Sequence, residues 1–156
     1  MMDRAKELYN QINEVMQKIN IKEDVAFLEF VSNNYLITFI YSEFEHEINK
    51  IIFSNIKTDR ELTNKYLKKV SDKHQKFHRG LKISDINGLF NNLDIKVDIG
   101  ARLGDNKNTY DNFINSRHAI SHDSSGINTA IKIKDVINSV EKVLEIVDNE
   151  LRNKNF

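Results

Sequence analysis

A chain of 156 residues with 23 basic and 23 acidic side chains carries no net charge, which argues against a surface built to coat nucleic acid broadly. Apolar residues make up 40% and charged residues 29%, the balance of an ordinary globular chain, and we expect residues 1–156 to form a single domain with its own core. Cysteine, proline and tryptophan are absent, which removes disulfides, thiol nucleophiles and Cys-ligated zinc, and favours long helices with few obligatory breaks. Residues 1–7 lack the apolar core of a signal peptide, and the most apolar run, residues 35–41, is too short to span a bilayer. A cytoplasmic protein is expected.

In chain order, residues 3–20 place Ala5, Leu8, Tyr9, Ile12, Val15, Met16 and Ile19 at the spacings of an amphipathic helix. A shorter helix is predicted over 23–31, then a long, more apolar and central one over 35–55. Thr58 or Asp59 can cap the next helix, which sets Leu62, Tyr66, Leu67, Val70 and Phe77 on one face and a basic cluster on the other, until Gly80 stops it. From Lys57 to Lys82 nine Lys and Arg stand against three acids, a surplus of six. Ser84 can cap a short helix to about Leu93. Residues 94–108 read as a loop, although Ile95 to Ile99 alternates as a short strand would. Helices are predicted over 109–122 and 133–151, the last with Ile133, Val136, Ile137, Val140, Val143, Leu144, Val147 and Leu151 on its apolar side. The fold class is therefore all-α.

The most informative stretch is Ser116-Arg117-His118-Ala119-Ile120-Ser121-His122-Asp123. Tyr110, Phe113 and Ile114 lead into it as one apolar face, and Ser124, Ser125 and Gly126 break the pattern behind it. A fixed cation and two imidazoles thus fall in the last turns of a helix. An Arg to hold a phosphate and a His to move protons form the minimum set for metal-free RNA cleavage.

This segment resembles the R-x4-6-H motif of the HEPN domains, small all-helical proteins many of which are metal-independent RNases of toxin–antitoxin and phage-defence systems. It is similar to the RiboL-PSP type, whose pattern is roughly an apolar helix, Arg-Asn, two or three small or apolar residues, then His-Gly. Arg117 and His122 fall on the motif's Arg and His, with Ala119, Ile120 and Ser121 between them. His118 stands where the family usually has Asn, and Asp123 where it usually has Gly. The order of helices is also similar to the HEPN plan, so the resemblance implies a HEPN-like bundle of about five to six helices. It further implies an endoribonuclease without a cofactor, working as a homodimer whose two motif helices meet, with RNA as substrate and an antitoxin or defence protein as a possible partner. A non-catalytic nucleotide-binding or protein-interaction module of the same family is the alternative. Toxins silenced by nucleotidyltransferase-type antitoxins resemble a pattern with Tyr two residues after the His; Ser124 stands there, which disfavours that control.

Each candidate also has a plainer reading. Five positions on an ideal helix rotate by about 500°, leaving residues 117 and 122 about 140° apart. Either the helix distorts near Ser121, or Arg117 reaches around on its long stem, or two subunits combine; the resemblance implies the last. Without function, Arg117 would pair with an acid and His122 would serve as a C-terminal helix cation. His118 and His122 share a face at a spacing that can bind zinc, but with no cysteine the further ligands would have to come from Asp123 or a remote acid, and we expect no metal. Glu45 lies among Tyr41, Ile48 and Ile52 on one helix face, where a carboxylate is costly unless paired. Arg117 is its natural partner, and a structural ion pair elsewhere is the other option, whereas Glu43 and Glu47 lie more toward solvent. Lys69, Lys73, Lys76 and Arg79, beside Lys65 and Lys68, could guide an RNA backbone, or form a merely solvated face.

Overall fold

The computed structural model describes residues 1–19, 22–56, 81–122 and 131–153. Among them stand six helices and no strand: α1 (Asp3–Lys18), α2 (Lys22–Ile56), α3 (Ile83–Asn92), α4 (Ile99–Leu103), α5 (Asn106–His122) and α6 (Ile133–Arg152). The chain groups into two compact units, Met1–Phe44 with Asp105–Glu141, and Glu45–Gly104 with Lys142–Phe156. None of the described helices is long and apolar enough to cross a membrane. The basic helix predicted between Thr58 and Gly80 lies outside the described residues.

In the first unit, α1 starts without a side-chain cap of its own, since Met2 occupies the N-cap and is fully buried. Carboxylates from two other helices take that role. Glu43 of α2 accepts from the backbone N–H groups of Arg4 (3.2 Å) and Ala5 (2.7 Å). Glu141 of α6 accepts from Met2 N–H at 3.3 Å and from Lys6 Nζ at 2.7 Å. Acids at a helix N-terminus satisfy orphan donors and meet the positive end of the helix dipole. Burial disfavours the ionised form of Glu141, but the hydrogen bonds from Lys6 and Met2 and the nearby positive charge outweigh it, and its carboxyl titrates below the usual carboxylate value. Glu43, expected to face solvent, is thus half-buried and used. Of the apolar face predicted for α1 only Ala5 is buried, and Val15 is 58% exposed.

The expected break between residues 31 and 35 is absent, and α2 runs for 35 residues. Ser32, Asn33 and Asn34 are modest helix formers, each costing a fraction of a kcal/mol, and without Gly or Pro nothing there forbids the helix. Leu36, Ile37, Ile40 and Phe44 are buried on its course through this unit. Phe27, Val31 and Tyr35, one turn apart on α2, stay exposed.

In the second unit, α3 begins one position before Ser84. The N-cap is Lys82, whose backbone N–H donates to Asp85 Oδ2 at 3.2 Å, so an acid at the third helical position closes the start instead of the expected serine. The helix ends at Asn92 with Leu93 as its C-cap, and the next residue, Asp94, is a non-glycine at φ 56°. The Ile95 N–H reaches back to the Phe90 carbonyl (2.8 Å) and the Asp94 N–H to that of Asn91 (3.1 Å). This left-handed close brings two buried apolar residues, Phe90 and Ile95, to the turn. The segment with strand-like alternation therefore forms no strand. Ile95 and Ile99 are buried, and Asp98 caps the five-residue α4 by accepting from the Ala101 N–H at 3.1 Å. With no neighbouring strand, alternation alone cannot make a ladder. Arg102 and Glu150 pair at 2.5 Å, and Asn55 donates to Asp148 at 3.1 Å.

Candidate functional site

The motif residues lie on α5, within the first unit. That helix starts at Asn106 and buries Tyr110, Phe113 and Ile114, the apolar face read from the sequence. These rings meet those of α2. Phe44 meets Tyr110 edge-on with centroids 5.9 Å apart, and Tyr41 lies 6.2 Å from Phe113. Stepping back three residues on α2 advances three on α5, so the two helices run antiparallel. The register is set by aromatic contacts, worth about 0.5–1.5 kcal/mol per pair beyond area burial.

One further turn along α5, the Arg117 guanidinium carbon stands 4.4 Å from the centre of the Tyr41 ring. That is well inside the range of a cation–π contact. Arg117 is half-buried and makes no ion pair with any described residue of its own unit. Glu45, expected as its partner, belongs to the second unit, where it is half-buried and its backbone carbonyl accepts from Asn49 Nδ2 at 2.7 Å.

The helix does not distort near Ser121. The Ser121 hydroxyl donates to the Arg117 carbonyl at 3.1 Å, and α5 continues to His122. An uninterrupted helix leaves positions 117 and 122 about 140° apart around the axis. His118 is half-buried one step beyond Arg117. His122 is placed only by its backbone, as the last residue of α5; its side chain, like Asp123, Lys69, Lys73, Lys76 and Arg79, lies outside the described residues. No group of three or more His, Asp or Glu that could hold a metal ion occurs among the described residues.

Two further residues bear on the site. By sequence pattern Tyr41 is only an apolar neighbour of Glu45; its place under Arg117 depends on the register between α2 and α5, which the single sequence does not contain. Asn34 is the other, two turns before Tyr41 on α2. Its Oδ1 is buried with no hydrogen-bond partner among the described residues. Upstream, Thr109 and Asn112 of α5 line a shallow depression with Ile131, Lys132 and Asp135; neither Arg117 nor His118 belongs to its walls.

No protein-family model matches the chain, and neither a curated protein nor a solved structure matches it. The functional reading therefore rests on the motif and its surroundings.

Proposed function

We propose that the protein is a metal-independent endoribonuclease of the HEPN type, a cytoplasmic toxin or defence effector in which catalysis combines the motif helices of two copies. The observation that carries this reading is the state of Arg117. It sits half-buried in the last turns of α5 with its guanidinium against a ring, with no ion pair among the described residues of its own unit. A structural arginine in that position would be expected to hold an acid. The angular offset of positions 117 and 122 on an unbroken helix favours pairing between copies over pairing within one.

The chemistry follows from the residue types. His122 removes the proton of a ribose 2′-hydroxyl, and the 2′-oxygen attacks the adjacent phosphorus. The bond from phosphorus to the 5′-oxygen breaks. A second imidazole, His118 or the His122 of the other copy, gives that oxygen a proton. The products are a 2′,3′-cyclic phosphate and a 5′-hydroxyl. Imidazoles ordinarily titrate near pH 6.5 and suit both roles. Arg117 donates to the non-bridging oxygens as charge builds on them. Lys69, Lys73, Lys76 and Arg79 would lead the RNA backbone toward the site.

The test is cleavage of end-labelled RNA in EDTA by the wild type, Arg117→Ala and His122→Ala. Activity should survive chelation and fall by about a hundredfold or more in each variant, with unchanged circular dichroism. Full activity in both variants, or its loss in EDTA, would sink the proposal.

A further inference from the structure

We infer that Tyr41 is a positioning residue, holding Arg117 by the face of its guanidinium so that the in-plane N–H donors are presented to a phosphate of the substrate. The inference deepens the nuclease reading and takes the substrate class from it.

A guanidinium can be held in two ways. An acid would engage its edge and use the same N–H fork that a phosphate requires. An aromatic ring engages its face and leaves the five donors, which all lie in the plane, directed outward. Arg117 is held in the second way, 4.4 Å from the Tyr41 ring centre, with no ion pair among the described residues of its unit. The ring itself is fixed. Tyr41 packs 6.2 Å from Phe113, Phe113 lies 6.3 Å from Tyr110, and Tyr110 meets Phe44 at 5.9 Å. Phe44, Tyr110 and Phe113 are fully buried, so Tyr41 stands at the half-buried end of a rigid aromatic row. A long, rotamer-rich side chain is thereby restricted before substrate arrives, which lowers the ordering cost of binding. The same geometry occurs on α1 and α2, where Arg4 stands 5.5 Å from the Phe39 ring centre, but Arg4 lies far from the motif in sequence and has no histidine beside it.

The probe is a 2′-O-methyl RNA oligonucleotide, which keeps the phosphates and lacks the attacking hydroxyl, so that binding is read without cleavage. Affinity and the Arg117 Nε–H resonance are followed in the wild type, Tyr41→Phe and Tyr41→Leu, with Arg117→Lys to assign the signal. Tyr41→Phe keeps the ring face and should bind within about twofold of wild type. Tyr41→Leu should bind about tenfold more weakly and lose about one unit of the slope of log K against log salt, as expected when one phosphate contact is lost. Merely loosened packing would leave that slope unchanged. Thermal melts of all variants identify any loss that comes from unfolding. The inference is overturned if Tyr41→Leu, folded, binds with wild-type affinity and slope, or if the Arg117 resonance stays still as the oligonucleotide binds. Cleavage of unmodified RNA is measured in parallel. Binding that depends on Tyr41 without cleavage would remove the nuclease reading and leave the arginine seat standing; cleavage indifferent to Tyr41 would do the reverse.

Discussion

The buried amide oxygen of Asn34 has no hydrogen-bond partner among the described residues. An orphaned buried acceptor costs on the order of 1–3 kcal/mol, while replacing it by an apolar group of similar shape is neutral or stabilising. Asn34→Leu should therefore raise stability by about 1 kcal/mol, a melting temperature about 2–4 °C higher for a chain of this size. A clearly destabilised variant would mean that a water or another donor reaches Oδ1 in solution. The residue lies on the same helix as Tyr41, two turns away, and only its burial marks it out. In the sequence it is one polar residue in the run Ser32-Asn33-Asn34, which falls between the two helices predicted over 23–31 and 35–55. Asn34 and Tyr41 share a reason for being missed: what each does is set by the helix it faces, and one sequence records spacing along a helix, not the register across two. The motif itself was legible, because Arg117, His118 and His122 are close in sequence and their spacing is local.

At the scale of elements, α1 is held at its N-terminus by carboxylates from α2 and α6. Glu43→Ala removes the acceptor of two backbone N–H groups and should cost about 1–2 kcal/mol in chemical unfolding, comparable to losing a helix cap. A change within the error of the measurement would show that water replaces it without penalty. Glu141 adds a pH dependence. Its carboxyl titrates below the usual carboxylate value in the folded protein, so its contribution is fully present above the ordinary value and is lost as pH falls through the lower folded one. Glu141→Gln should accordingly flatten the acid limb of the stability curve, below about pH 4.5, and cost stability at neutral pH. An acid limb identical to that of the wild type would rule out the linkage. Helix existence and type were legible for α1, α5 and α6, where apolar residues recur at helical spacing over many turns. Boundaries were less so. Asp85 rather than Ser84 closes the start of α3, and Asp94 adopts a left-handed close that glycine more often provides. Both depend on backbone hydrogen bonds that several neighbouring polar residues could have made.

At the scale of the molecule, the catalytic reading turns on whether one copy suffices. Residues 117 and 122 lie about 140° apart on an unbroken helix, so a site that combines them is most simply built between two copies related by a two-fold axis. With His118 as the second imidazole, such an arrangement has two equivalent sites, each taking Arg117 from one copy and His122 from the other. Two inactive variants then become complementary. In a mixed dimer of Arg117→Ala and His122→Ala, one site lacks both groups and the other has both intact. Random exchange makes about half of the dimers mixed, each with one working site of two, so mixing should restore about a quarter of wild-type activity. The restored activity should appear only after the copies have exchanged, and should fall on dilution below the dissociation constant of the dimer. If each chain carried a complete site, no mixture of the two variants could recover cleavage at any concentration. Mixtures that stay inactive although differently tagged copies co-purify would exclude two shared sites, and would leave either a single centre that needs both His122 side chains or chemistry within one copy, with Arg117 reaching around its own helix and His118 as the nearer imidazole.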